Sequence, residues 1–253
     1  MDPIKPNISR IYDYVLGGHH NLEVDRIAAQ HILQVFPNYP RWARLNRDFL
    51  QAMARRWAAE GQTHVLDLGS GMPTQGHFHS VMPNARVLYS DNDPVTVDYA
   101  REIIGDNPAV AYLQADVRQP EPLLRAAEQH FHGERKVAIG FIGVAYFIDD
   151  ASLERVMQTL HDWAAPGSVM ALSHAYSQGP LTESNRQQLE SFKRGGVELL
   201  PRNEAELRRL IGPWEIRELA PLEAWPGLET QIQASDRGVT NAGMLGVSLV
   251  RPR

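Results

Sequence analysis

The chain has 253 residues, with 25 Lys and Arg against 30 Asp and Glu for a formal net charge of −5, 43% hydrophobic residues and no cysteine. This length suits a single α/β domain with one main core. The acidic balance argues against a nucleic-acid partner, and the absence of cysteine excludes disulfides and thiolate chemistry. No apolar run approaches the roughly 18 residues of a membrane span, and Met1-Asp2-Pro3-Ile4-Lys5-Pro6 does not open a signal peptide. The expectation is a cytoplasmic protein, monomer or homodimer, with no membrane partner.

Residues 1–62 read as an N-terminal helical cap. Asn7 or Ser9 can cap a helix through about Leu16, Gly17-Gly18 breaks it, and a second helix runs from Asp25 to about Val35. After Pro37 and Pro40, the residues Trp42, Leu45, Phe49, Met53 and Trp57 recur at spacings of three and four. They form the core-facing stripe of a third helix.

From residue 63 to 253, short apolar strands alternate with amphipathic helices. Strands are predicted near 63–68, 86–90, 109–114, 136–142 and 168–173, and helices near 75–81, 94–104, 120–131 and 150–164. That alternation implies a parallel sheet covered on both faces. Beyond it, Thr182–Arg194 and Asn203–Ile211 read as helices, Trp214–Leu219 and Met244–Val250 as a closing hairpin, and Leu222–Asn241 as irregular. Segments near 177–201 and 222–241, with Trp225 and Pro226, are expected to shape a substrate pocket.

The segment Thr63-His64-Val65-Leu66-Asp67-Leu68-Gly69-Ser70-Gly71 reads as a buried strand running into a tight glycine turn, and a second strand ends in Asp91-Asn92-Asp93-Pro94. Glycines let the backbone turn sharply and approach a ligand. An acid at the end of the next strand, about 20 residues on, can accept both ribose hydroxyls. The dinucleotide fingerprint needs a third glycine where this chain has Thr74, preceded by Pro73. Asp67 would repel a phosphate and could meet a ligand ammonium, directly or through water. S-adenosylmethionine carries such an ammonium and no phosphate.

With these residues the chain resembles the class I, Rossmann-like S-adenosylmethionine-dependent methyltransferases. More narrowly, it is similar to a bacterial family frequent in actinomycetes, first catalogued as a domain of unknown function and later called S-adenosyl methyltransferase. Four segments carry the likeness: 7–26, 44–50, 66–74 and 91–94. The resemblance implies a seven-stranded, mostly parallel sheet with helices on both faces and an N-terminal helical cap.

It also implies that Gly69, Ser70 and Gly71 face the methionine and ribose portion of the cofactor, with Asp91 on the ribose hydroxyls and Asn92 among the cofactor-binding residues. Asp93 is either a weaker ligand or the cap of the helix that Pro94 opens. Asp116 would accept from the adenine amino group or cap a turn, and Val117 would pack on the purine. Gly143 lies in the segment Ile139–Phe147 that should pass beneath the transferable methyl, where relatives often carry histidine in place of Tyr146. In the N-terminal signature, Arg10, Tyr14, Gly18, His19 and Asn21 are ligand candidates within a lid, or else parts of a helix end. Arg47 is a candidate for the methionine carboxylate.

His174, then His19, are the candidates for a general base, and Tyr146 could orient the acceptor or serve as core packing. The pairs His19-His20, His77/His79 and His130/His132 lack metal-ligand spacing and read as surface histidines, so no metal is expected. The expected activity is direct transfer of a methyl group to an O, N or C atom of a small-molecule acceptor, with inversion at carbon. The alternatives are an NAD(P)-dependent oxidoreductase and a non-catalytic S-adenosylmethionine-binding regulatory protein.

Overall fold

The computed structural model describes residues 5–74, 76–177, 179–194, 197–225, 228 and 242–252. Three helices come first, α1 (Ile8–Val15), α2 (Glu23–Val35) and α3 (Tyr39–Ala59). Then β1 (His64–Asp67), α4 (Phe78–Val81), β2 (Arg86–Asp91), α5 (Pro94–Ile104), β3 (Val110–Gln114), α6 (Pro120–His130) and β4 (Ala138–Phe141) alternate. After α7 (Asp150–Trp163) come β5 (Val169–Ser177), α8 (Glu183–Arg194), α9 (Glu204–Ile211), β6 (Glu215–Pro221) and β7 (Ala242–Val250). The predicted helix near 75–81 is thus a single turn starting at Phe78, and α2 starts two residues before Asp25 because the Asp25 carboxylate reaches back to the Leu22 amide at 2.8 Å.

The seven strands form one sheet in the order β3-β2-β1-β4-β5-β7-β6, and the pairings from β3 through β5 are parallel. Only β7 runs against its neighbours, β5 and β6, so the predicted closing hairpin is present. Side chains alternate across each strand. Val65, Val87 and Ala138 therefore face α3 and α5, packing with Phe49, Met53 and Trp57, whereas Leu66, Leu88 and Ile139 face α6, α7 and α9. Trp225, expected in a substrate pocket, instead lies in this core with its ring centroid 4.8 Å from that of Phe49. Pro226 and most of 222–241 lie outside the described residues.

The helical cap is fastened by one buried arginine. Arg10, 1% exposed, donates from Nε to Asp25 (2.7 Å), from Nη1 to Asp93 (2.5 Å) and from Nη2 to the Lys5 carbonyl (2.8 Å). Asp93 also caps α5 by accepting from the Thr96 amide at 2.8 Å and hydroxyl at 2.7 Å, so its cap role is the one observed. A single guanidinium therefore joins α1, α2 and the start of α5.

Removing one partner of a buried ion pair strands the other charge, at about 3–5 kcal/mol. Arg10→Met is expected to lower the unfolding free energy by about 3 kcal/mol in urea titrations, whereas a loss below about 1 kcal/mol would contradict this role.

Candidate active site

In the parallel part of the sheet the chain turns outward in opposite directions from β1 and β4, which opens a crevice at their carboxyl ends. The loop after β1 fills that crevice with backbone. Gly69 and Gly71 have φ of +62° and +60°, and a Cβ at Gly69 would stand 2.7 Å from the Val144 side chain. Glycine is required there on both counts. The turn is stitched to its neighbours by Ser70 N to Ser90 O (2.7 Å), Ser70 Oγ to Asp67 O (3.0 Å) and Tyr112 Oη to Gly71 O (2.7 Å).

Two acids are buried beside it. Asp91, at the end of β2, accepts from the Ser9 hydroxyl (2.9 Å) and Gly71 amide (3.1 Å) on Oδ2, and from the Asp93 amide (3.0 Å) on Oδ1. Burial pushes its carboxyl above the usual range while these donors pull the other way. Asp67, 3% exposed, has no partner for Oδ2, and burial pushes its carboxyl up to about 7. Gly140, its register partner on β4, makes the room: a Cβ there would run into the Asp67 carboxylate.

Further polar atoms are left over close by. Arg47 Nη1 and Asn46 Oδ1 are buried without partners, and so are both ring nitrogens of His77, which is 1% exposed. Burial, then the Arg47 charge, holds His77 well below the ordinary imidazole range, so the ring is neutral. A buried orphan costs about 1–3 kcal/mol, and native proteins carry few. Here Asn46, Arg47, Asp67 and His77 all line one cavity of about 370 Å³ between the strand ends and helices α1 and α3. That is the size and character of a small-molecule site.

Of the residues predicted from sequence, Arg47, Asp67, Gly69, Ser70, Gly71, Asp91, Asn92, Asp116, Val117, Gly143 and Tyr146 line this cavity. Asp116 is also gripped by the Arg118 side chain at 2.6 to 3.1 Å, which holds its carboxyl below the usual range. Tyr146 is pushed above its ordinary range by burial and by Tyr12, against a hydrogen bond from Asn46. It stays a phenol at neutral pH.

Seven of the candidates do not line the cavity: Arg10 and Asp93, which pair with each other, Tyr14, Gly18, His19, Asn21 and His174. His174 is fully buried, with Nδ1 at 2.6 Å from the Ala175 carbonyl and Nε2 at 2.8 Å from Arg202 Nη1. Burial lowers it to about 4, and the nitrogen that would take a proton already accepts a hydrogen bond from a guanidinium, so it is no general base for this cavity. Gly18 and His19 belong to a turn wrapped around Asp13, whose Oδ2 accepts from the His20 amide (2.8 Å) and Asn21 Nδ2 (3.0 Å). His19 is exposed there, and a Cβ on Gly18 would run into that carboxylate. Tyr14 is half-buried against the core formed by α1 and α2. His77, read from sequence as a surface histidine, is the correction in the opposite direction. Its place three residues after Thr74, where the glycine loop re-enters the fold, was the available signal.

Asp67 imposes a pH dependence. A carboxyl raised on folding binds its proton more tightly in the native state, so the stability it contributes is complete below the usual carboxylate range and is lost as pH rises toward about 7. Asp67→Asn abolishes that loss. The difference in unfolding free energy, variant minus wild type, is expected to grow by roughly 2–4 kcal/mol between pH 4 and 8, and a flat difference would contradict the burial of an unpaired acid.

Comparisons with known proteins point the same way. The family model described as S-adenosyl methyltransferase matches residues 1–246. The structure is similar to a proposed methyltransferase of Thermobifida fusca at a TM-score of 0.85 and 26% identity, covering 98% of this chain and 96% of that one. It is similar to a duf574 family protein of Streptomyces avermitilis at 0.83 and 25%, covering 98% of each. A Burkholderia thailandensis 1,6-didemethyltoxoflavin-N1-methyltransferase, solved with 1,6-didemethyltoxoflavin and S-adenosylhomocysteine bound, shares the fold at 0.51 and 14%, covering 81% of this chain and 79% of that one. The curated proteins give no match. This chain therefore belongs to the S-adenosyl methyltransferase family, and it is a methyltransferase.

Proposed function

We propose that the protein moves a methyl group from S-adenosylmethionine to a small-molecule acceptor. One observation carries the reading: Asp67 Oδ2 and Arg47 Nη1, buried without partners, stand beside the left-handed Gly69–Gly71 turn and the buried strand-end acid Asp91, all lining one cavity. An acid, a cation and a ribose acceptor in that arrangement suit a ligand that is zwitterionic at one end and a nucleoside at the other. Against a pyrophosphate, the two buried carboxylates would be repulsive. Family membership disfavours the oxidoreductase alternative on independent grounds.

In this reading Asp91 takes the ribose hydroxyls in place of the Ser9 hydroxyl that now donates to it. Val117 and Asp116 lie along the purine, Asp67 receives the ammonium, and Arg47 pairs its free Nη1 with the carboxylate. Helix α1, held down by Arg10, covers the cavity and excludes water. When bound, S-adenosylmethionine supplies a methyl group already activated on a sulfonium, so holding donor and acceptor in line provides most of the acceleration. Tyr146, kept protonated, orients the acceptor by donating its hydroxyl. Among the described residues His77 is the histidine that reaches the cavity, and its neutral ring offers one donor and one acceptor nitrogen.

Calorimetry tests this directly. S-adenosylhomocysteine is expected to bind in the micromolar range and NAD not at all, with Asp91→Ala weakening S-adenosylhomocysteine by about 100-fold through two lost charged hydrogen bonds. Binding of NAD without S-adenosylhomocysteine would reject the assignment. Transfer of a labelled methyl group from S-adenosylmethionine into a small-molecule extract separates an enzyme from an idle binding protein, because the latter yields no labelled product.

A further inference from the structure

The end of the cavity away from Asp91 is built on different chemistry. We propose that it takes a flat heteroaromatic acceptor whose edge carries a hydrogen-bond acceptor beside an N–H or O–H donor. The inference rests on the methyltransferase reading above and names its acceptor class.

The walls at this end are rings. Tyr12, Tyr39, Tyr146 and Phe147 line it, with Leu16 and Val197. Neighbours fix the rings in place: Tyr39 stacks on Phe36 at 5.9 Å and meets Phe192 edge-on at 5.3 Å, while Tyr146 and Phe147 meet at 4.5 Å. Fixed rings favour a planar partner, which gains offset or edge contacts without ordering flexible side chains.

The walls are also neutral. Burial raises Tyr12 to about 12 and Tyr39 well above its usual range, so all three phenols keep their protons. The acids on this rim are engaged elsewhere: Asp13 accepts from the 20–21 turn, and exposed Glu198 pairs with Lys193 at 3.5 Å. Arg47, whose charge reaches Asp67 and His77 and also Tyr12, is the cation nearest these rings, and in the methyltransferase reading the cofactor's carboxylate engages it. With Arg118 held by Asp116, an anionic acceptor then finds no further cation among the described lining residues, and an alkylammonium finds no free carboxylate there.

Beside the Tyr39 hydroxyl, Tyr146 and Asn46 present a polar edge. The Tyr12 hydroxyl is spent on the Ala43 carbonyl at 2.5 Å. Asn46, 4% exposed, has its Oδ1 without a partner, and its side chain shares one spot with the Tyr146 hydroxyl: a Cβ on Gly143 would stand 3.8 Å from Asn46 Nδ2 and 3.6 Å from Tyr146 Oη. The Tyr146 proton is left to donate and Asn46 Oδ1 to accept. A donor beside an acceptor matches a lactam or amidine edge, and an acceptor lacking the N–H or O–H would leave Asn46 Oδ1 buried and unsatisfied.

The full chain saturated with S-adenosylhomocysteine, titrated by calorimetry and ligand-observed NMR, provides the test. Three probes are compared: quinolin-2(1H)-one, piperidin-2-one with the same edge but no aromatic ring, and 1-methylquinolin-2-one with its donor capped. The quinolinone is expected to bind, the other two at least about tenfold more weakly, and Tyr146→Phe to weaken the quinolinone by about tenfold. S-adenosylhomocysteine affinity checks that the variant is folded. Failure of the quinolinone to bind, equal binding of piperidinone, or indifference to Tyr146→Phe would each overturn the proposal. If S-adenosylhomocysteine itself does not bind, the methyltransferase reading falls instead.

Discussion

Two carboxylates buried at the ends of adjacent strands are the constraint to which the rest of the molecule answers. Asp91 is accommodated by three donors, one of them Ser9 from the helical cap. Asp67 has no donor for its outer oxygen, and its carboxyl rises toward neutrality. Burial of an unpaired acid costs free energy that a structural role would not require. Gly140 leaves the space it occupies, since a Cβ there would run into the carboxylate.

The cap is tied to the same site through charge. Arg10 holds Asp93, whose own amide donates to Asp91, and Ser9 on the same helix caps the other Asp91 oxygen. A ligand that engages Asp91 must therefore disturb the cap, and a cap that shifts must alter Asp91. Binding and closure over the cavity are two readings of one hydrogen-bond network. The aromatic residues Tyr12 and Tyr39 belong to this cap and to α3, so the fold can vary acceptor recognition there while the strand-end chemistry stays fixed.

The sheet was legible because its strands are buried on both faces, which leaves near-continuous apolar runs such as Val65-Leu66 and Val87-Leu88 between turn residues. The strand β5 extends to Ser177, beyond its predicted end at 173, because pairing with β7 over nine positions continues where the apolar run has stopped. The glycine turn and both acids were legible from spacing. The histidines were not. His174, expected just beyond a strand, lies inside β5 opposite Leu245, only the fold brings Arg202 onto its ring, and only the fold buries His77 near Arg47. Nor could spacing reveal that Ser9 would cross more than 80 residues of sequence to meet Asp91, or that Gly18 and His19 would close around Asp13.

The central claim is that the crevice at the carboxyl edge of the sheet was shaped for a charged thioether nucleoside and not for a pyrophosphate. A crystal structure of the full chain with S-adenosylhomocysteine tests it most directly. The account predicts ribose hydroxyls on Asp91 with the Ser9 hydroxyl displaced, and the amino-acid end between Asp67 and Arg47. Ligand density elsewhere, with the bond between Ser9 and Asp91 intact and Asp67 still without a partner, would contradict it.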